Sequence, residues 1–144
     1  MSLFSVLSIG ASGMAAQRTR AELLVENLAN AETTRTPEGG PYRRKDVVFT
    51  SASTSSPFAS VFSSQMQGPE GVAVSDIVTD TRDPERRYLP GHPDADGEGY
   101  VAFPRINPAE DMVDLMGASR SYQANVAAIS AVKDMIERSL DLLR

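Results

Sequence analysis

The sequence predicts an α+β chain: a long helix at each end forming a coiled-coil-like inner layer, with a small irregular β module between them. Three observations carry this. Apolar residues recur every seven positions at both ends, Pro and Gly cluster in the middle, and short Val-rich runs lie between the clusters. The predicted units are residues 1–33 (N-terminal helix), 34–106 (loop-rich β module) and 107–144 (C-terminal helix).

In the first unit Phe4, Ala11, Arg18 and Val25 form one heptad row, and Leu7, Met14, Ala21 and Leu28 form another three places on. Gly10 and Gly13 interrupt it at about 0.5–1 kcal/mol each relative to alanine. Close approach of another helix across these small residues would compensate. The second helix has a marked start: Asn107 as N-cap, Pro108 at the first helical position and Glu110 three residues after the cap. Met112, Ser119, Val126, Lys133 and Leu140 make one row; Leu115, Tyr122, Ile129, Ile136 and Leu143 make an entirely apolar one. Pairing of the two helices with each other would cover only part of each seam, so the rows are read as surfaces for further helices. The helices of an isolated chain are accordingly expected to be poorly ordered.

Between the helices, 33–41 reads as a loop, 42–49 and 71–81 as strands, and 51–68 as a mobile serine-rich loop with Phe58, Val61 and Phe62 as its bulky members. Tyr88-Leu89 and 100–103 flank a turn-rich stretch and read as a hairpin.

Composition narrows the function. The net charge of -5 disfavours a nucleic-acid partner, and the absence of cysteine removes disulfides, thiolate metal sites and thiol nucleophiles. No apolar stretch is long enough to span a bilayer. The opening residues lack the positive n-region of a cleaved signal, and their periodicity runs on past Ala15-Ala16, so export would occur without cleavage. His92 is the single histidine and sits in a Pro-Gly-His-Pro turn, which argues against a triad or a two-histidine metal site. Asp94-Ala95-Asp96-Gly97 starts like a calcium loop, but its glycine is fourth, and Arg105 stands where the closing glutamate belongs. No catalytic, metal or cofactor residues are assigned, and the chain is not expected to be an enzyme.

Ser12-Gly13-Met14-Ala15-Ala16-Gln17, followed by Asn27-Leu28-Ala29-Asn30-Ala31-Glu32-Thr33, resembles the N-terminal motif of the flagellar rod and hook family. The blocks 35–45, 90–101, 110–116 and 118–125 are similar to its proximal-rod branch, and Arg105 departs from the family's usual Pro-Asn-Val-Asn. The resemblance implies a structural subunit of the basal-body rod in the periplasm, without cofactor. It would leave through the flagellar type III export apparatus and polymerise through its terminal helices around the export channel to transmit torque. Implied partners are further copies, other rod proteins, and the membrane ring and export-gate components at the rod base. Asn27, Asn30 and Asn125 join the apolar row members as expected subunit-interface residues. The alternatives are another axial protein of the family, or a coiled-coil type III export chaperone or effector.

Overall fold

A computed structural model of the chain describes residues 3–52 and 71–141, the side chains of Leu3 and Phe4 excepted. The elements are α1 (Leu3–Ala29), β1 (Lys45–Ala52), β2 (Gly71–Thr79), β3 (Glu85–Tyr88), β4 (Tyr100–Phe103) and α2 (Pro108–Asp141). The α+β class follows: two long helices with small antiparallel sheets between them. The serine-rich stretch falls, but for its first two residues, outside the described residues.

The helices pack on one another antiparallel, with Gly10 against Ile129 and Gly13 against Asn125. A Cβ at Gly10 would lie 3.0 Å from Ile129 Cγ1, and one at Gly13 would lie 3.1 Å from Asn125 Nδ2. The two glycines therefore do what their small size permits: they let the helices approach where a methyl would crowd the crossing.

β1 and β2 form a two-stranded sheet from Lys45↔Thr79 to Ala52↔Gly71, with a bulge between Val48 and Phe49 that leaves Ser75 unpaired. An isolated hairpin is marginal in water, and α1 supports this one. Ser12 Oγ accepts the Val72 N–H at 3.0 Å, about four helical turns before the sheet's other anchor at Asn27. β1 begins three residues later than the sequence suggested. Tyr42 N–H is already taken by the Thr33 carbonyl at 3.0 Å, which holds this stretch as a loop until Lys45.

β3 and β4 pair from Glu85↔Phe103 to Tyr88↔Tyr100, so the hairpin starts earlier than Tyr88. Its inner face carries Val101 and Phe103, both buried. Gly99 has φ +84°, a left-handed backbone, and the Tyr88 ring lies 3.0 Å from where its Cβ would stand. The connecting turn is anchored by Thr34 Oγ1, which donates to Asp94 Oδ2 at 2.7 Å. Asp96 Oδ1 accepts the Glu98 and Tyr100 N–H groups. These carboxylates are used by the turn itself, and among the described residues no group of acids and histidine is placed to hold a metal ion.

The buried apolar residues are Ala16, Leu23, Leu24, Val101, Phe103, Ala118 and Val132. All but Val132 and Ala16, which is at the middle of α1, lie towards the end of the hairpin where α1 finishes and α2 begins.

Candidate assembly surface

Helical spacing gives α1 three sides. One faces the sheet: Ser12, buried Ala16 and Leu23, and Asn27. One faces α2: Gly10, Gly13 and Gln17, with Arg20 reaching Asp114 at 3.8 Å. The third is open, and along it Ser8, Ala11, Ala15, Arg18, Glu22, Val25 and Ala29 are all exposed. Arg18 Nε donates to Glu22 Oε1 at 2.8 Å along this open side, an exposed i,i+4 pair.

α2 is covered on one line only. Asp111, Ala118 and Val132 are buried, and Leu115, Asn125, Ile129 and Ile136 are half-buried between them. That line combines the expected row through Leu115 with a row at 111, 118, 125 and 132. The row expected beside it points away from α1: Met112, Val126 and Leu140 are 52%, 42% and 61% exposed. Tyr122 is also exposed and borders a groove with Gln17, Arg18, Ala21, Leu115 and Ser119. On α1, Leu7, Met14, Ala21 and Leu28 are half-buried, whereas Ala11 and Val25 are exposed. The side chain of Phe4, and Leu143, lie outside the described residues.

The two motif asparagines of α1 have different surroundings. Asn27 is completely buried and makes three hydrogen bonds. Its Oδ1 accepts the Lys45 N–H at 2.9 Å and the Tyr42 hydroxyl at 3.0 Å, and its Nδ2 donates to the Lys45 carbonyl at 2.8 Å. The side-chain amide thus pairs with β1's first residue as a neighbouring strand would. Asn30 is half-buried and local: Nδ2 donates to the Glu26 carbonyl at 2.9 Å, and Oδ1 accepts from Thr33 Oγ1 at 3.1 Å. It closes the last turn of the helix.

Around this junction Lys45 Nζ meets Glu26 at 2.6 Å, and Tyr42 is pushed up to about 12 by burial, with the Glu26 and Asp111 charges adding to the rise. At the start of α2, Asn107 Oδ1 accepts the Ala109 N–H at 3.2 Å, as its capping role requires. Glu110 is exposed and contributes, with Asp111, the negative charge of the first turn. His92 is half-buried in its turn, where Nδ1 accepts the Asp94 N–H at 3.1 Å and the ring stands edge-on to Phe103.

The sequence shows Asp111 as negative charge at the positive end of α2 and Arg44 within a basic run, with nothing to join the two. Nothing in their spacing betrays a contact made across 67 residues, Arg44 to Asp111 at 3.1 Å.

Comparison with known proteins gives the context of this open hairpin. The family profile "Flagellar basal body rod FlgEFG protein C-terminal" matches residues 98–142, which cover β4 and all of α2. The chain is 43% identical to the flagellar basal-body rod protein FlgC of Bacillus subtilis, over 99% of each chain. It is 38% identical to that of Borreliella burgdorferi over 100% of this chain and 99% of the relative. With that of Salmonella typhimurium the identity is 37% over 99% and 98%. Likeness at this level along the whole length, together with the helix–sheet–helix architecture, places the chain in one family: it belongs to the FlgC family of flagellar basal-body rod proteins.

Proposed function

We propose that the chain polymerises in the proximal rod through the open sides of its helix hairpin, with the terminal helices lining the export channel and the β module outside. Family membership makes it a structural rod subunit that assembles with other rod components. The observation that carries the finer reading is the exposure of apolar side chains on α2: Met112, Val113, Met116, Val126, Met135 and Leu140 all exceed 40%. The helix hairpin leaves them uncovered, and a large exposed apolar area normally marks an interaction surface. A helical rod needs a heterologous interface, one patch docking on a different patch of the next subunit. A hairpin with open lines on both helices suits that geometry. The role is mechanical, torque transmission, with no catalytic step and no cofactor.

Further copies and other rod proteins would meet these lines. The membrane ring and export-gate components are the partners at the rod base. Transit through the type III export apparatus into the periplasm occurs without cleavage in this reading. The course of α1 supports it: Ala16, beside the only signal-like site, is 3% exposed beneath the sheet, and a cut there would halve the helix.

The test uses a side chain that the fold does not need. Val126→Asp puts a charge on the uncovered line of α2 and should leave the free chain folded and exported. It should nevertheless be absent from detergent-washed basal bodies, and the cells should not swim. Normal incorporation of Val126→Asp and of Met112→Asp would overturn the assignment of this face.

A further inference from the structure

A carboxylate buried at the foot of α2 takes no part in the surface described above. The Asp111 side chain has 0% exposure, and neither of its oxygens has a hydrogen-bond partner. Arg44 Nη2 lies 3.1 Å from Oδ1, an ion pair without the alignment of a hydrogen bond. The Arg44 side chain is 17% exposed, and its guanidinium is shared with Asp46 at 3.2 Å.

The other charges around the pair do not help to hold Asp111. From α2 come Glu110 and Asp114, from β1 comes Asp46, and all three repel it. From the loop before β1 comes the Tyr42 hydroxyl, engaged with Asn27. From α1, Arg20 is directed to Asp114 at 3.8 Å, and Glu26 is held by Lys45. Arg44 is thus divided between Asp111 and Asp46, and Arg82 and Arg105, which line the same cleft beside Glu110, make no ion pair with Asp111.

We propose that Asp111 is a proton-sensitive latch between the segment leading into β1 and the start of the C-terminal helix: charged, it depends on Arg44 alone; protonated, it stays buried without that partner and the folded state tightens. A buried ion pair held by one imperfect contact is a poor source of stability, because desolvation offsets its attraction. Removing the charge removes that cost.

The direction follows from the balance of causes. Burial raises the Asp111 carboxyl above its ordinary value of 3.8, and the Arg44 attraction only partly opposes it. A group raised on folding contributes stability that is complete below the ordinary value and is lost as pH climbs through the raised one. The folded state therefore strengthens on mild acidification. Asp80 works in the opposite sense and in a different window. Arg82 draws it down to about 2, so its contribution is complete above 3.8 and is lost only as pH falls towards 2.

The experiment is a carboxyl NMR titration of the full-length chain, with urea midpoints measured from neutral pH down to the ordinary aspartate value of 3.8. The Asp111 resonance should titrate above the ordinary aspartate value of 3.8. As pH falls, the midpoint of the wild type should rise relative to that of Asp111→Asn. Titration of Asp111 at or below the ordinary value overturns the latch, as does an Asp111→Asn chain that keeps the full pH dependence. If the asparagine variant does not fold, the wild-type resonance decides.

Discussion

Replacing Asn27 by alanine tests the junction that seats the β module on α1. The substitution removes a fully buried amide that satisfies both backbone groups of Lys45 and the Tyr42 hydroxyl, at 2.9, 2.8 and 3.0 Å. Each buried polar group left without a partner costs about 1–3 kcal/mol. The Tyr42 hydroxyl can turn to the half-buried space around it, whereas the Lys45 amide and carbonyl are fixed by the strand that they begin. Two stranded backbone groups and a small cavity give a loss of about 2–5 kcal/mol. Against a typical total of about 5–15 kcal/mol this is a large fraction. Asn27→Asp keeps the acceptor but loses the donor and buries a charge near Glu26, so it should be at least as harmful. Urea denaturation followed by circular dichroism measures the loss, and hydrogen exchange at the Lys45 amide locates it. A loss below about 0.5 kcal/mol, with the Lys45 amide still protected, would show that the amide bridge does not hold this junction.

The glycines of the two helices should respond oppositely to alanine. Gly117 has nothing within 4 Å of its Cβ position, so Gly117→Ala should stabilise the free chain by about 0.5–1 kcal/mol. Gly10→Ala places a methyl 3.0 Å from Ile129 Cγ1 and should forfeit that gain, and a common shift in thermal midpoint would contradict the helix crossing. Hydrogen exchange in the free chain should be slowest around Leu23, Leu24, Asn27 and Asp111, and fastest towards the opposite end of the hairpin, where among the described residues Val132 is the one buried side chain. Incorporation into the rod should slow that fast end, and uniform protection of both helices in a verified monomer would argue against folding coupled to assembly.

The sequence revealed some elements because local physics decides them. The Asn107-Pro108 cap and the small residues at Gly10 and Gly13 are short-range signals that the structure uses locally, and of the row through Leu115 it covers Leu115, Ile129 and Ile136 but leaves Tyr122 exposed. The second row of α2 was harder. From Leu115 a heptad continues either through Met112 and Val126 or through Asp111, Ala118, Asn125 and Val132. Hydrophobicity alone favours the former, but the latter is the buried one. Asp111 and Asn125 can occupy the covered line because partners far along the chain receive them: Arg44 pairs with Asp111, and Gly13 makes room for Asn125.

The same displacement explains why the apolar residues that the sequence advertised lie mostly on the outside. In a self-contained protein the most hydrophobic row of a helix turns inward and the polar rows turn out. In α2 the row through Leu115 shares the covered line with one holding an aspartate and an asparagine, while Met112, Val126 and Leu140 are left to solvent. A chain gains nothing alone from such an arrangement, since burying methionine, valine and leucine would each contribute roughly 1.5–3 kcal/mol. The inversion makes physical sense if those side chains are covered by a neighbour. A subunit of the rod family has such neighbours, and the polar inner row then helps to fix the register of the hairpin that presents the apolar one.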